Sequence, residues 1–117
     1  MSFIDRPPLA DDEVMVLPLV AATREQEGSL PVGGRLFLTS KRLVHKPGAG
    51  ARLRRQGAWE CPLSDVRTVD LGPRSLFVLG GAGQLVNVTT LDQSRVGFRV
   101  WNGKRLAAQI LQQRDGA

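Results

Sequence analysis

The chain has 117 residues, a net charge of +5 and 42% hydrophobic residues, which fits one packed domain and excludes an extended disordered chain. No apolar run approaches the roughly 20 residues of a membrane-spanning helix, and the first residues lack the basic-then-apolar pattern of a secretory leader. A single cysteine, Cys61, excludes an internal disulfide and a cysteine-based zinc site, so a reducing cytoplasm is the expected compartment.

Residues 1–12 read as a flexible tail, because Pro7-Pro8 blocks a regular start and Asp11-Asp12 is a polar stop. The folded domain is expected over 13–117. Val14 to Ala22 is apolar and strand-like, with Pro18 placing it at an edge or bend. Arg24 to Gly33 is polar and punctuated by Gly and Pro, as in a loop. Gly34 to Thr39 and Arg42 to Lys46 form a hairpin turning at Ser40-Lys41, and Pro47 ends it because it has no amide hydrogen. Pro47 to Gly57 is a glycine-rich basic loop. Trp59 to Pro62 is a short strand, and Leu63-Ser64-Asp65 a tight turn. Val66 to Leu71 is a strand broken by Gly72-Pro73, and Leu76 to Leu79 is another strand-like segment. Gly80 to Gly83 has the freedom of a hairpin turn. Leu85 to Thr90 and Arg95 to Val100 complete the strands.

The period changes after Trp101. Asn102 is a suitable N-cap, and Leu106, Ala107, Ile110 and Leu111 fall on one helical stripe. The order is therefore mainly β: about seven short antiparallel strands, then one C-terminal α-helix. Curling such strands into a barrel protects their edges. The helix is expected to cap the barrel, with Trp101 anchoring the junction. Trp59, Pro62, Leu63, Trp101 and Ile110 are expected to serve folding.

Two stretches resemble known domains. Gly34 to Val44, GRLFLTSKRLV, and Trp59 to Val66, WECPLSDV, are similar to the GRAM and bacterial PH-like families, which favour a Thr-Asn/Ser-Lys/Arg-Arg-Leu turn and a later Pro-Leu-Ser-Asp segment. The resemblance covers roughly residues 13–114 and implies a PH-like barrel. His45 and Cys61 depart from the family pattern, each standing where an aliphatic or aromatic residue is more usual. The fold hosts lipid-binding, peptide-binding and structural members, so it implies no single function.

No catalytic constellation stands out. His45 is the only histidine, nothing local sets it against Cys61 or Ser64, and metal-ligand spacing is missing. Gly80 to Gly83 lacks the Lys-Ser/Thr of a phosphate loop. The chain is expected to be no enzyme and to need no cofactor or metal.

Charge supplies the binding candidates. From Gly28 to Trp59 there is no acid, but there are Arg35, Lys41, Arg42, Lys46, Arg52, Arg54 and Arg55. Arginine donors match phosphate geometry. Lys41, Arg42, Lys46, Arg52, Arg54 and Arg55 are therefore candidates for an anionic lipid headgroup, centred on the 46–55 loop, with the chain peripheral at the inner membrane face. The first expectation is instead a binding or scaffolding module for a protein partner or a second copy. Its surface would be a groove between the terminal helix and a strand, or an open sheet edge. Nucleic acid is not expected, since no aromatic platform or recognition helix is present.

Overall fold

A computed structural model describes residues 7–48, 57–75 and 83–116. Seven strands form one antiparallel sheet: β1 (Met15–Glu25), β2 (Val32–Thr39), β3 (Arg42–Pro47), β4 (Trp59–Pro62), β5 (Val66–Ser75), β6 (Gly83–Thr90) and β7 (Arg95–Val100). Their spatial order is β4-β3-β2-β1-β7-β6-β5. A 3-10 turn, Leu63–Asp65, separates β4 from β5, and helix α1 (Gly103–Gly116) follows β7.

The inner face of the curled sheet is mainly apolar. Leu36 and Leu38 of β2, Leu43 of β3, Val86 and Val88 of β6 and Phe98 of β7 share one core with Leu106 and Ile110 of α1. Alternate residues of each strand point inward, and burying each large side chain contributes about 1.5–3 kcal/mol. The helix packs on β5, β6 and the 3-10 turn. At its far end Arg114 Nη1 donates to the Arg67 carbonyl at 2.9 Å. Asn102 caps its start, accepting from the Arg105 amide through Oδ1 at 3.3 Å.

The expected mainly β barrel with a C-terminal helix is the observed architecture, and several local expectations change. β1 runs on to Glu25 and β2 begins at Val32, so both ends of the expected 24–33 loop are strand. The ladders continue there through Arg24↔Val32 and Arg24↔Phe98. Gly72-Pro73 does not end a strand. β5 continues to Ser75 through a register shift between Leu71 and Arg74, so that Gly72 and Pro73 fall between ladder pairs, where a missing amide hydrogen costs no ladder bond. A like irregularity between Leu17 and Val20 carries Pro18. Trp101 is 74% exposed rather than buried at the junction, and Pro62 is also exposed. The expected strand Leu76–Leu79, most of the Gly80–Gly83 turn and the middle of the basic loop lie outside the described residues.

One glycine is sterically required in the hairpin. A Cβ on Gly34 would stand 2.1 Å from the Lys46 carbonyl oxygen, whereas one on Gly33 meets nothing within 4 Å. Gly34→Ala is therefore expected to lower stability by about 3 kcal/mol, and Gly33→Ala to change it by less than about 1 kcal/mol. Urea unfolding of the two variants checks this; equal effects would contradict the close approach of β2 to β3.

Candidate functional site

The β2–β3 turn holds two of the basic candidates. The Thr39 hydroxyl accepts from the amides of Lys41 (3.1 Å) and Arg42 (3.0 Å) and donates to Glu13, which fixes the turn. Arg42 grips Glu13 with two donors, Nε at 2.8 Å and Nη2 at 3.2 Å. Its Nη1 reaches Glu60 at 2.8 Å, and Nη2 also donates to the Pro8 carbonyl. Hydrogen bonds from Arg42, Thr39 and the Ala10 amide hold the Glu13 carboxyl down to about 2 against the opposing effect of its burial. Lys41 pairs with Asp12 on the surface. The donors of Arg42 thus hold residues 8–13 and β4 against the hairpin.

Lys46, at the opposite end of β3, is a further basic candidate. Lys46 stands directly across the ladder from Arg35. Neither has an acidic partner among the described residues. Like charges directly opposite one another repel. Beside them the Gly48 amide bonds the Gly33 carbonyl at 2.8 Å, and the β1–β2 connection carries exposed Leu30. Arg52, Arg54 and Arg55 lie outside the described residues.

Inside this end of the barrel is a polar pair. Arg24, 6% exposed, donates from Nη2 to the Gly57 carbonyl at 2.8 Å. Its Nε and Nη1 have no hydrogen-bond partner among the described residues, nor has His45 Nδ1. His45 Nε2 lies 2.9 Å from the Ala22 carbonyl; a carbonyl only accepts, so the imidazole donates from Nε2. Phe98 packs at 5.8 Å from His45 and 5.2 Å from Trp59, between ring centroids. Burial pushes the imidazole down to about 4, opposed by the Ala22 bond and reinforced by the charge of Arg24. The Cys61 thiol donates to the Pro62 carbonyl at 3.3 Å and is pushed up to about 11, chiefly by burial. Burial favours the neutral form of both groups.

A cleft of about 370 Å³ opens where β1 leaves β7. The β1–β7 ladder spans only Thr23 to Glu25, so earlier β1 residues diverge from β7 and face the start of α1. Leu17, Val20 and Ala21 form one wall, with Trp101, Asn102, Arg105 and Leu106 opposite. No acid lies in the first turn of α1. Lys104 and Arg105 are exposed, and neither has an acidic partner among the described residues. Sequence patterning marked Trp101 and Leu106 as junction and core. The sequence reading expects a groove between the terminal helix and a strand without naming the strand; the short β1–β7 ladder, a feature of pairing, puts the cleft at β1.

No family model matches the chain, and no curated protein does. Solved structures do match. One is a "Vps36 N-terminal PH domain", with a TM-score of 0.70 and 16% identity over 94% of this chain and 85% of that one. Another is the C-terminal domain of an unknown protein from Leishmania infantum, with a TM-score of 0.62 and 16% identity over 87% of this chain and 84% of that one.

His45 gives the site a pH signature. Its imidazole titrates lower when folded than when unfolded, near 6.5, so the unfolded chain takes up the proton first and stability falls as pH drops through 6.5 towards 4. A loss of about 2 kcal/mol is expected between pH 7 and pH 5. His45→Leu is expected to flatten the profile in that window. An unchanged slope in chemical unfolding would show that the imidazole is not buried neutral. With these groups placed, the comparisons show a PH-like fold: a curled seven-stranded antiparallel sheet with one C-terminal helix.

Proposed function

We propose that the chain is a non-catalytic binding module that docks a protein partner in the cleft between β1 and α1. The observation that carries this reading is an apolar cleft flanked by a tryptophan that is 74% exposed. Large aromatic side chains left in water next to apolar concavities are typical anchors of protein interfaces. The cleft also lies beside the part of β1 that has no ladder to β7 among the described residues, an edge on which an extended segment can add a strand. The PH-like fold supports a binding role in general terms. The hairpin and Trp59–Val66 motifs support a GRAM-type member of that fold. The cytoplasm is the compartment that goes with this role.

Trp101→Glu and Ala21→Glu place charges on exposed cleft positions. Each is expected to reduce capture of a cross-linkable protein partner at least tenfold while leaving the melting temperature near that of the native chain. Light scattering on the purified protein identifies the case in which the partner is a second copy. Identical capture by the native chain and both variants would remove the cleft from the reading.

A second reading rests on the Arg35–Lys46 pair. Two cations with no acidic partner among the described residues face each other at the end of the barrel where Leu30 is exposed, and the 46–55 segment starts there. This combination suits peripheral attachment to an acidic membrane, with Lys46, Arg52, Arg54 and Arg55 on headgroups and Leu30 at the acyl boundary. Lys41 and Arg42 contribute less, being paired with Asp12 and Glu13. Co-sedimentation with vesicles containing phosphatidylserine tests it. Salt-sensitive binding that falls about tenfold or more in Arg35→Glu/Lys46→Glu supports the reading, since each basic residue contributes about 1 kcal/mol. Equal binding to neutral vesicles ends it.

A further inference from the structure

We infer that the partner segment seated in the β1–α1 cleft is an extended acidic peptide. It places an apolar side chain between β1 and Leu106 and a carboxylate against Arg105 at the start of the helix. The inference rests on the cleft reading above and adds the chemistry of the occupant.

The first observation is a charge conflict. The amino end of a helix carries a partial positive charge and favours acids. Here the first turn holds no acid. It carries Lys104 and Arg105 instead, both exposed and without an acidic partner among the described residues. Glu25 and Asp115 are engaged with other cations, Glu25 with Arg99 at 2.8 Å and Asp115 with Arg114 at 2.9 Å. Three positive contributions at one place disfavour the free protein locally. An incoming carboxylate relieves that repulsion, and Arg105 offers it paired donors.

The second observation is adjacency. Arg105 is itself a wall of the cleft, opposite Leu17, Val20 and Ala21. One ligand can therefore meet both the apolar surface and the cation only if it carries an apolar group and an acid close together. The third observation is the stretch of β1 before Thr23, which among the described residues has a ladder partner only in β2. The β1–β7 ladder ends at Thr23, and the cleft begins at Ala21. A peptide entering there can pair with the β1 backbone as a strand. Its side chains alternate, one into the cleft and its neighbours towards solvent or the helix start.

The test uses an array of octapeptides with a central Leu or Phe, flanked by Asp/Glu in one set, Lys/Arg in a second and Ser/Gly in a third. Binding is measured to the native chain, Arg105→Glu, Lys104→Glu/Arg105→Glu and Trp101→Glu. The acidic set is expected to bind at least tenfold more tightly than the basic set, with affinity falling as salt rises. Arg105→Glu is expected to reverse the preference, and helix stability should not fall, because an acid is favoured there. Equal binding of all three sets, with loss in Trp101→Glu, would overturn the charge inference and leave the cleft reading standing. No peptide binding together with partner capture insensitive to Trp101→Glu would sink both. Retained acidic preference in the double charge reversal would also overturn the inference, because the cations would then not be the receptor.

Discussion

Three residue pairs join the two halves of the sheet: Thr23 with Arg99, Arg24 with Phe98 and Glu25 with Gly97. On one side of this seam lie β2, β3 and β4, on the other β6 and β5. A strand has two faces, so the seam sends Arg24 and Phe98 inward and Glu25 and Arg99 outward. Outside, Glu25 and Arg99 clamp the seam with an ion pair, and Arg99 also donates to the Gly83 carbonyl at 3.2 Å. Inside, Phe98 supplies the aromatic centre on which His45 and Trp59 pack. Because the ladder is so short, β1 is free to swing away from β7, and the cleft beside α1 is the space that this divergence creates.

The interior and the periphery handle charge differently. Arg42 and Glu13 satisfy one another in a half-buried network and hold the residues before β1 against the hairpin. Removing one member would leave the other charge buried and unpaired, which is far worse than never having either. Arg24 is the contrast. It is buried, has no acidic partner among the described residues and donates to the Gly57 carbonyl, and desolvation lowers its pKa. Its charge in turn helps keep His45 neutral.

Local chemistry made much of this architecture legible before any coordinates. The Gly34–Lys46 hairpin is written in alternating apolar residues around a Thr-Ser-Lys-Arg turn, and each of those turn residues has a local task. The helix is readable because Asn102 caps it and Leu106, Ala107 and Ile110 recur on one stripe. What escaped notice depends on distant pairing. Arg24 looks like the start of a polar loop until β2 and β7 take up its flanks. Gly72-Pro73 looks like a stop because no local signal announces a bulge. Trp101 reads as a buried anchor because aromatic residues at strand-helix junctions so often are; here the helix turns its stripe to β5 and β6 and leaves the indole outside. For the candidate site the limit is sharper. Lys41 and Arg42 were visible as cations, but their acids, Asp12 and Glu13, lie 29 residues away in sequence.

The solitary thiol has one more consequence. Cys61 sits in β4, an outermost strand of the sheet, yet its side chain faces inward and is 4% exposed. Its reluctance to ionise makes it inert while β4 stays zipped to β3. Alkylation of this sulfur therefore acts as a clock for the fraying of a single sheet margin, a motion distinct from global unfolding. The chain carries this reporter as part of its own sequence, with no second cysteine to blur the signal.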